Sequence, residues 1–317
     1  MAAATFKTNP IDLIELLEDC HRGKLQLPDF QRSWVWDEDR IKSLIASISR
    51  AFPVGALMAL DTGGEVNFKP RPVEGAPVEA KAMAPQSLLL DGQQRMTSLY
   101  QVSLRNKVVE TVTPKNKKVK RWFYIDIQKA LDSSVDREEA VFGVPEDRII
   151  RTDFGREVLL DLSTPSSEYA ALMYPLPQVF DWDRWQDGFD QHWRGDEHEE
   201  MRETFRAFKR QVLENFKSYR VPVISLDRAT SKEAVCVVFE KVNTGGKALD
   251  AFELVTAMYA AEGHELRKDW YGDDEHKGRY RRFVDTMRPA DSEAGILANV
   301  PNTDFLQAIS LFYTRER

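Results

Sequence analysis

The chain has 317 residues, which allows two domains or one large domain with an appendage. With 42% hydrophobic and 30% charged residues, it can bury a core. It lacks an apolar run long enough for a membrane, a signal-peptide core, and the cysteines for a disulfide or zinc framework. We therefore expect a cytoplasmic protein without a membrane partner. Its net charge of −7 means that any nucleic-acid site must be a local patch.

Two helices and a strand are predicted before a long insertion. Asn9-Pro10 is typical of a helix start, and Gly23 suits the end of that helix. The stretch LQLPDFQRSWVW that follows is predicted to be extended. Asp37 is expected to cap a second helix, and residues 54–60 have the composition of a buried strand. Residues 62–86, rich in glycine and proline, indicate a flexible loop.

The remaining chain is predicted to form a strand, a helix and a hairpin, followed by a mainly helical half. A strand at 88–90 leads directly into a helix, and strands near 107–113 and 121–127 flank a basic turn. The later strand VPVISL is expected to return to the sheet of the first half. The predicted fold class is α/β with a small mixed sheet, divided into units 1–162 and 163–317.

The sequence LLLDGQQRMTSLY contains the sharpest chemical motif. A helix that begins directly after a buried strand points free N–H groups at its ligand, which favours phosphate. Gly92 lets a ligand approach the backbone, and Arg95 offers a guanidinium fork for phosphate oxygens. Gln93 and Gln94 are candidates to bind a nucleotide or orient water, and Asp91 is a candidate for a metal, a ribose hydroxyl or water. The alternative is a polar turn in which Asp91 caps the helix and Arg95 is solvated.

The segment LPDFQRSWVW contains a second candidate site. Gln31 and Arg32 lie between Phe30 and Trp34, and Trp36 follows closely. Aromatic rings beside an amide and a guanidinium suit base stacking and phosphate contact. The alternative is that the rings belong to the core and that Arg32 forms a structural ion pair.

A third candidate is the sequence VNTGGKALD between two predicted helices. Asn243, Thr244, Gly245 and Gly246 form an exposed loop whose N–H groups are candidates for an anion nest, with Lys247 adding charge. The alternative is a simple helix–helix turn.

The predicted hairpin is a fourth candidate, because its turn is strongly basic. From Arg105 to Arg121 there are seven basic residues and one acid, a local charge of +6. Such a turn can follow a DNA backbone, and the alternative is a solvated hairpin tip. Its central basic side chains are those of Lys115, Lys117, Lys118 and Lys120.

Several enzyme classes lack their motifs in this sequence. There is no G-x-x-x-x-G-K-[ST] phosphate loop, no H-E-x-x-H metal helix, no G-x-S-x-G elbow and no His-Asn-His nuclease pattern. A nuclease activity would therefore belong to another domain or another protein.

Taken in order, LPDFQRSWVW, FPVG, LLLDGQQRMTSLY and VNTGGKALDAFEL resemble one family. It is the DGQQR-motif domain at the N-terminus of GmrSD-type, modification-dependent (type IV) restriction enzymes, and the resemblance covers about 8–260. It implies a ParB/sulfiredoxin-like first half, in which residues 91–95 bind a nucleoside triphosphate with a divalent cation, Mg²⁺ being the expected one. Gln31 and Arg32 would face the same cavity, and residues 243–246 would line it from the helical half.

The resemblance also implies a function in defence against phage. The domain would sense modified DNA, hydrolyse the triphosphate and control a nuclease in a continuation of the chain or in a partner. The expected DNA contacts are Phe30, Gln31, Trp34, Lys117, Lys118 and Lys120. The alternatives are a binding module without catalysis and a nuclease that acts alone. A homodimer is a further expectation.

Overall fold

The computed structural model describes residues 6–152, 155–195 and 198–231, with shorter pieces at 234–235, 237–238, 256, 266–272, 277–281, 304 and 311. Its strands in chain order are Phe6–Asp12 (β1), Leu25–Pro28 (β2), Leu57–Asp61 (β3), Pro70–Arg71 (β4), Ser87–Asp91 (β5), Val109–Val112 (β6), Lys118–Asp126 (β7), Val141–Pro145 (β8), Ile149–Thr152 (β9), Glu157–Asp161 (β10), Met173–Pro175 (β11) and Arg220–Leu226 (β12).

The α-helices of the described residues pack around these strands. They are Leu13–Arg22 (α1), Glu38–Ser49 (α2), Gln93–Leu99 (α3), Ile127–Leu131 (α4), Pro165–Ala170 (α5), Asp183–His192 (α6), His198–Phe208 (α7), Glu214–Lys217 (α8) and Leu266–Tyr271 (α9). Wider π-helical turns extend α3 over Tyr100–Leu104 and join α7 to α8 over Lys209–Leu213. In the part of the chain described, no helix has the length and apolar character that a membrane crossing requires.

A six-stranded mixed sheet forms the centre of the fold, in the order β1-β12-β3-β5-β2-β4. The pairs β12–β3 and β2–β5 are parallel, and the other pairs are antiparallel. Strand β12, the predicted strand VPVISL, therefore returns to the sheet of the first half as expected. The α/β fold class is confirmed.

The predicted helix start at Asn9-Pro10 is wrong. Residues 6–12 form β1, because all seven pair in antiparallel register with β12. The helix begins at Leu13, with Asp12 as its N-cap, and Leu13 N–H donates to the Tyr219 carbonyl. The predicted end of this helix is confirmed, since Gly23 adopts the left-handed conformation with φ +76°.

The central sheet separates two apolar layers, because side chains alternate along its strands. Leu57 and Leu89 belong to the large core that includes α1 and α2, whereas Leu88 and Leu90 pack in a smaller cluster with Phe68 on the other face. Every one of these side chains is buried. The strand predicted at 88–90 is thus the buried middle of β5.

A second sheet contains the predicted hairpin. Strands β6 and β7 pair from Val109 opposite Arg121 to Val112 opposite Lys118, which confirms the hairpin. β11 continues the edge of β7 beyond β6, and β8 pairs along the opposite edge. The hairpin thereby belongs to a four-stranded sheet and is not an isolated ribbon.

Residues 181–200, which are rich in tryptophan and in acidic residues, contribute to an aromatic core in the second half. Trp185 and Phe189 of α6 stack at 5.1 Å between ring centroids, and Phe205 of α7 packs on both. Phe205, Phe208, Val212 and Phe216 recur at helical spacing, and all four side chains are buried.

Candidate nucleotide and nucleic-acid site

The junction between β5 and α3 requires a glycine. Gly92 is the N-cap of α3 and has φ +92°, a backbone conformation that side chains disfavour. A Cβ atom at this position would also lie 2.2 Å from Cδ2 of Leu57. Gly92, not Asp91, is the N-cap, and no backbone N–H of the described residues donates to the Asp91 carboxylate, so the alternative in which Asp91 caps the helix is wrong.

Arg95 is held by its own protein. Its guanidinium donates to the carbonyl oxygens of Val54 at 2.6 Å and Ala56 at 2.9 Å, and it pairs with the Asp91 carboxylate at 3.2 Å. The side chain is 18% exposed, so the alternative of a solvated Arg95 is wrong. The guanidinium has five N–H donors, and these bonds use three of them.

Tyr219 stabilises the same loop before β3. Its hydroxyl donates to the Phe52 carbonyl at 2.6 Å and accepts from the Val54 N–H at 3.2 Å. Burial raises the pKa of this phenol, so the hydroxyl keeps its proton at neutral pH. The backbone of Val54 is therefore held by Tyr219 at its N–H and by Arg95 at its carbonyl.

Gln93 and Gln94 hold the aromatic segment, which we define as residues 30–36. The Gln93 amide donates to the Arg32 carbonyl at 2.6 Å. The Gln94 amide donates to the Ser33 carbonyl and accepts from the Val35 N–H at 2.9 Å. Both glutamines of the DGQQR motif therefore connect α3 to the backbone of the predicted DNA segment.

Gln31 anchors the start of the aromatic segment on β5. Its amide nitrogen donates to the carbonyls of Leu89 and Leu90, each at 2.9 Å. Its amide oxygen is buried and has no hydrogen-bond partner among the described residues. Arg71 donates to the Gln31 carbonyl at 3.1 Å, so this part of the segment is fixed on both sides.

The other predicted contact residues of the aromatic segment differ in solvent exposure, because Phe30 and Trp34 are partly buried and Arg32 is exposed. Phe30 packs edge-on against Phe68, in the smaller apolar cluster. Trp34 is half-buried, and its indole N–H donates to the Ser98 hydroxyl at 2.9 Å. Arg32 is exposed, and its side chain makes no ion pair with the residues that the structure describes. The alternative of a structural ion pair for Arg32 is therefore not found in this part of the chain.

The hairpin of β6 and β7 is fastened to the aromatic segment. The Thr111 hydroxyl donates to the Trp36 carbonyl at 2.7 Å, and Asp37 forms a parallel bridge with Val112. Arg121 pairs with Glu38 of α2 at 3.1 Å. Two motifs that are distant in sequence are thus adjacent in the fold.

The basic side chains of the hairpin are unequal. Lys120 pairs with Glu146 at 3.0 Å, and this hydrogen bond raises the pKa of the ammonium group. Lys117 and Lys118 are exposed, and their ammonium groups make no hydrogen bond or ion pair within the described ranges. The charge available to an anionic partner therefore lies at the tip of the hairpin.

A cleft of about 710 Å³ separates the aromatic segment from the hairpin, and it was not predicted from the sequence. No local pattern indicates it, because it depends on contacts between residues about 75 positions apart, such as Thr111 with Trp36. The lining residues are Trp34, Val35, Trp36, Glu110, Thr111, Val112, Lys118, Val119, Lys120, Arg121 and Glu146.

Two further predictions concern a divalent cation at Asp91 and the loop of residues 243–246. Asp91 Oδ1 has no hydrogen-bond partner within the described part of the chain, and Mg²⁺ bound to a nucleotide needs only one or two protein carboxylates. The cation at Asp91 stays a prediction, since Arg95 pairs with the other carboxylate oxygen and the described residues contain no group of three acidic, His or Cys ligands. Asn243, Thr244, Gly245 and Gly246 lie outside the described residues.

A buried carboxylate lies in the second half, separate from these motifs. Glu168 accepts from the Tyr124 hydroxyl at 2.9 Å and from the Trp185 indole, and Arg148 is 3.5 Å away. Burial raises the pKa of Glu168, but its partners satisfy it. This cluster stabilises the second sheet against α5 and α6.

The fold and the site define a class of α/β domain in which a DGQQR motif begins the helix after a buried strand. The chain belongs to the family of GmrSD restriction endonuclease N-terminal domains, whose family model matches residues 13–260. It is also similar to the uncharacterized protein MJ0686 of Methanocaldococcus jannaschii, with 25% identity over 281 residues. The matched region is 86% of this chain and 45% of MJ0686, so the chain spans less than half of that relative. The resemblance inferred from the motifs is confirmed.

Proposed function

We propose that this chain is the NTP-hydrolysing sensor of modified DNA in a modification-dependent restriction system. One observation carries the proposal: Gln93 and Gln94 of the predicted nucleotide motif bind the backbone of the aromatic segment. That segment also lines the cleft with the hairpin. The predicted nucleotide site and the predicted DNA site are therefore parts of one hydrogen-bonded unit, as coupling between two ligands requires.

The residues of the junction support phosphate binding in distinct ways. Gly92 begins α3 directly after β5, and the free N–H groups of a helix N-terminus favour negative charge. Arg95 adds positive charge from a fixed position, because two carbonyls and Asp91 hold its guanidinium. Asp91 would hold the Mg²⁺, which neutralises phosphate charge when bound. Positioning and electrostatics account for most of the catalysis of phosphoryl transfer.

A sensor of this kind acts on another activity. The family supports a partner nuclease and DNA in a restriction system, and we infer that the nuclease lies in the same polypeptide or in a partner. A cytoplasmic location and a homodimer stay predictions.

A second candidate function is a nucleotide-binding module without hydrolysis. The contacts of Arg95 favour it, because a guanidinium that already binds two carbonyls and Asp91 is less free to follow a phosphoryl group in the transition state. In this case, nucleotide binding would change only the position of the aromatic segment.

Phosphate release from several nucleoside triphosphates, with Mg²⁺ and either modified or unmodified duplex DNA, tests the proposal. The duplexes should include glucosylated cytosine, hydroxymethylcytosine and phosphorothioate linkages. We expect turnover that depends on at least one modification. Tight nucleotide binding without phosphate release would refute the sensor that hydrolyses NTP and support the module. Specific cleavage of a modified plasmid by this chain alone would refute a separate nuclease.

A further inference from the structure

The cleft between the aromatic segment and the hairpin has a preformed aromatic wall. Trp34 is fixed through its indole N–H by Ser98 and through its backbone N–H by Glu74. Trp36 is half-buried, packs against the main core and is fixed through its carbonyl by Thr111. Its indole N–H makes no hydrogen bond to any of the described residues. A wall with so little freedom binds a flat ligand at a small entropic cost.

The opposite wall of the cleft combines an available cation with carboxylates. Lys118 is exposed and its ammonium group is not paired within the described ranges, whereas Lys120 and Arg121 are paired with Glu146 and Glu38. The carboxylates that line the cleft are those of Glu110 and Glu146. The wall therefore offers one cation for a phosphate and carboxylate oxygens for the amino groups of a base.

The size of the cleft limits its ligand. Its volume of about 710 Å³ lies inside the range of roughly 300–1,000 Å³ that is usual for small-ligand sites. It is too small for a duplex, whose base pairs are stacked inside the helix. A base that leaves the stack offers both a flat face and an adjoining phosphate.

We propose that this cleft binds one unpaired nucleotide of a DNA strand, with the base against Trp36 and the adjoining phosphate at Lys118. The proposal deepens the proposed function, because it names the form in which DNA enters the sensor. Trp36, Val35, Thr111 and Arg121 thereby become parts of the site.

Fluorescence anisotropy with short labelled strands tests the proposal in low salt, with EDTA and without nucleotide. One strand is oligodeoxycytidylate, whose bases carry an amino group for the carboxylates of the cleft, and the other has the same backbone with abasic residues throughout. We expect the intact strand to bind about tenfold more tightly, because a base stacked on an aromatic ring adds this much affinity. Trp36→Leu should remove the difference between the strands, and Lys118→Gln should weaken both strands equally.

Matched variants control for folding and for charge. Trp193→Leu changes a half-buried tryptophan of the helical half, and Lys81→Gln changes an exposed lysine outside the hairpin that does not line the cleft. Both should bind like the wild type. If Trp36→Leu does not fold, Trp36→Phe keeps a smaller ring, and we expect it to reduce the difference between the strands.

Two results would overturn the proposal. They are equal affinity for the two strands and a strand preference that Trp36→Leu and Trp36→Phe leave unchanged. Failure of the proposed function is distinguishable. Base-dependent binding without phosphate release would refute NTP hydrolysis and leave the proposed nucleotide site in the cleft standing. Phosphate release without a preference for the strand with bases would refute the nucleotide site in the cleft and leave NTP hydrolysis standing.

Discussion

The DGQQR junction and the cleft use their polar residues in opposite ways. At the junction, Gln93, Gln94 and Arg95 all bind backbone groups of their own protein. At the cleft, Trp36 and Lys118 leave an indole N–H and an ammonium group without a described partner. The sharpest motif in the sequence is therefore largely a framework, and less distinctive residues form the open surface beside it.

Charge follows the same division. The net charge of −7 is an average over separate regions, because the acids of 181–203 lie in the helical half and the basic residues of 105–121 lie on the hairpin. Pairing with Glu146 and Glu38 reduces the free charge of the hairpin to its tip. Surface charge therefore has to be counted after ion pairs are known, which a sequence does not provide.

The largest effect on stability is expected for Arg95→Ala. This change leaves the carbonyls of Val54 and Ala56 without their donor and Asp91 without its cation. We expect a loss of about 3 kcal/mol in the free energy of unfolding, measured by urea denaturation. Arg32→Ala is the matched control and should leave stability unchanged, because Arg32 is exposed. Equal stability of both variants would show that the junction is not a framework.

The second effect is expected for Gly92→Ala. The new Cβ would be strained at φ +92° and would collide with Leu57, so we expect a loss of about 1–3 kcal/mol. Gly63→Ala is the control, since Gly63 has φ +86° but open space around its Cβ. In thermal denaturation, Gly63→Ala should lose less stability than Gly92→Ala. If both variants lose the same stability, glycine is required at position 92 only for its backbone conformation and not for the close contact with Leu57.

A smaller effect is expected for Gln94→Glu, which separates the two hydrogen bonds of Gln94. The carboxylate can still accept from the Val35 N–H, but it has no donor for the Ser33 carbonyl. We expect a loss of about 1 kcal/mol and weaker DNA binding. The exposed Gln128→Glu adds the same charge in α4, where the structure shows no partner among the described residues. If Gln94→Glu leaves the affinity for DNA unchanged, the contacts of the junction do not affect DNA binding at the cleft.

The smallest effect on stability is expected for the lysines of the hairpin, which should change DNA binding alone. Lys117→Gln and Lys118→Gln should each lower the slope of log Kd against log salt by about one unit. Lys120→Gln should lower it less, because Glu146 already neutralises this ammonium group. If all three variants and the wild type have the same slope, the hairpin does not contact DNA and is a solvated tip.

Local signals predicted most of the elements near the site. Asp37 does cap α2 through Arg40 N–H, and β5 does lead directly into α3. Asn9-Pro10 failed as a helix start because pairing with β12, more than 200 residues away, outweighs the local preference. The likeness of the first half to ParB and sulfiredoxin stays a prediction.

The candidate site was predictable only in part. The sequence singled out Gln93, Gln94 and Trp34, but their partners depend on long-range packing that no spacing encodes. The cleft needs the contact of Thr111 with Trp36, which joins two motifs that are separate in sequence. Residue types therefore indicated the chemistry, and only the fold indicated which groups remain available for it.

The central claim is that nucleotide and DNA act on one connected unit. Its most direct test is the rate of phosphate release from the preferred nucleoside triphosphate, measured with matched modified and unmodified duplexes. The account predicts release whose rate differs between the two duplexes. No release with any nucleotide, or equal rates with every duplex, would contradict it.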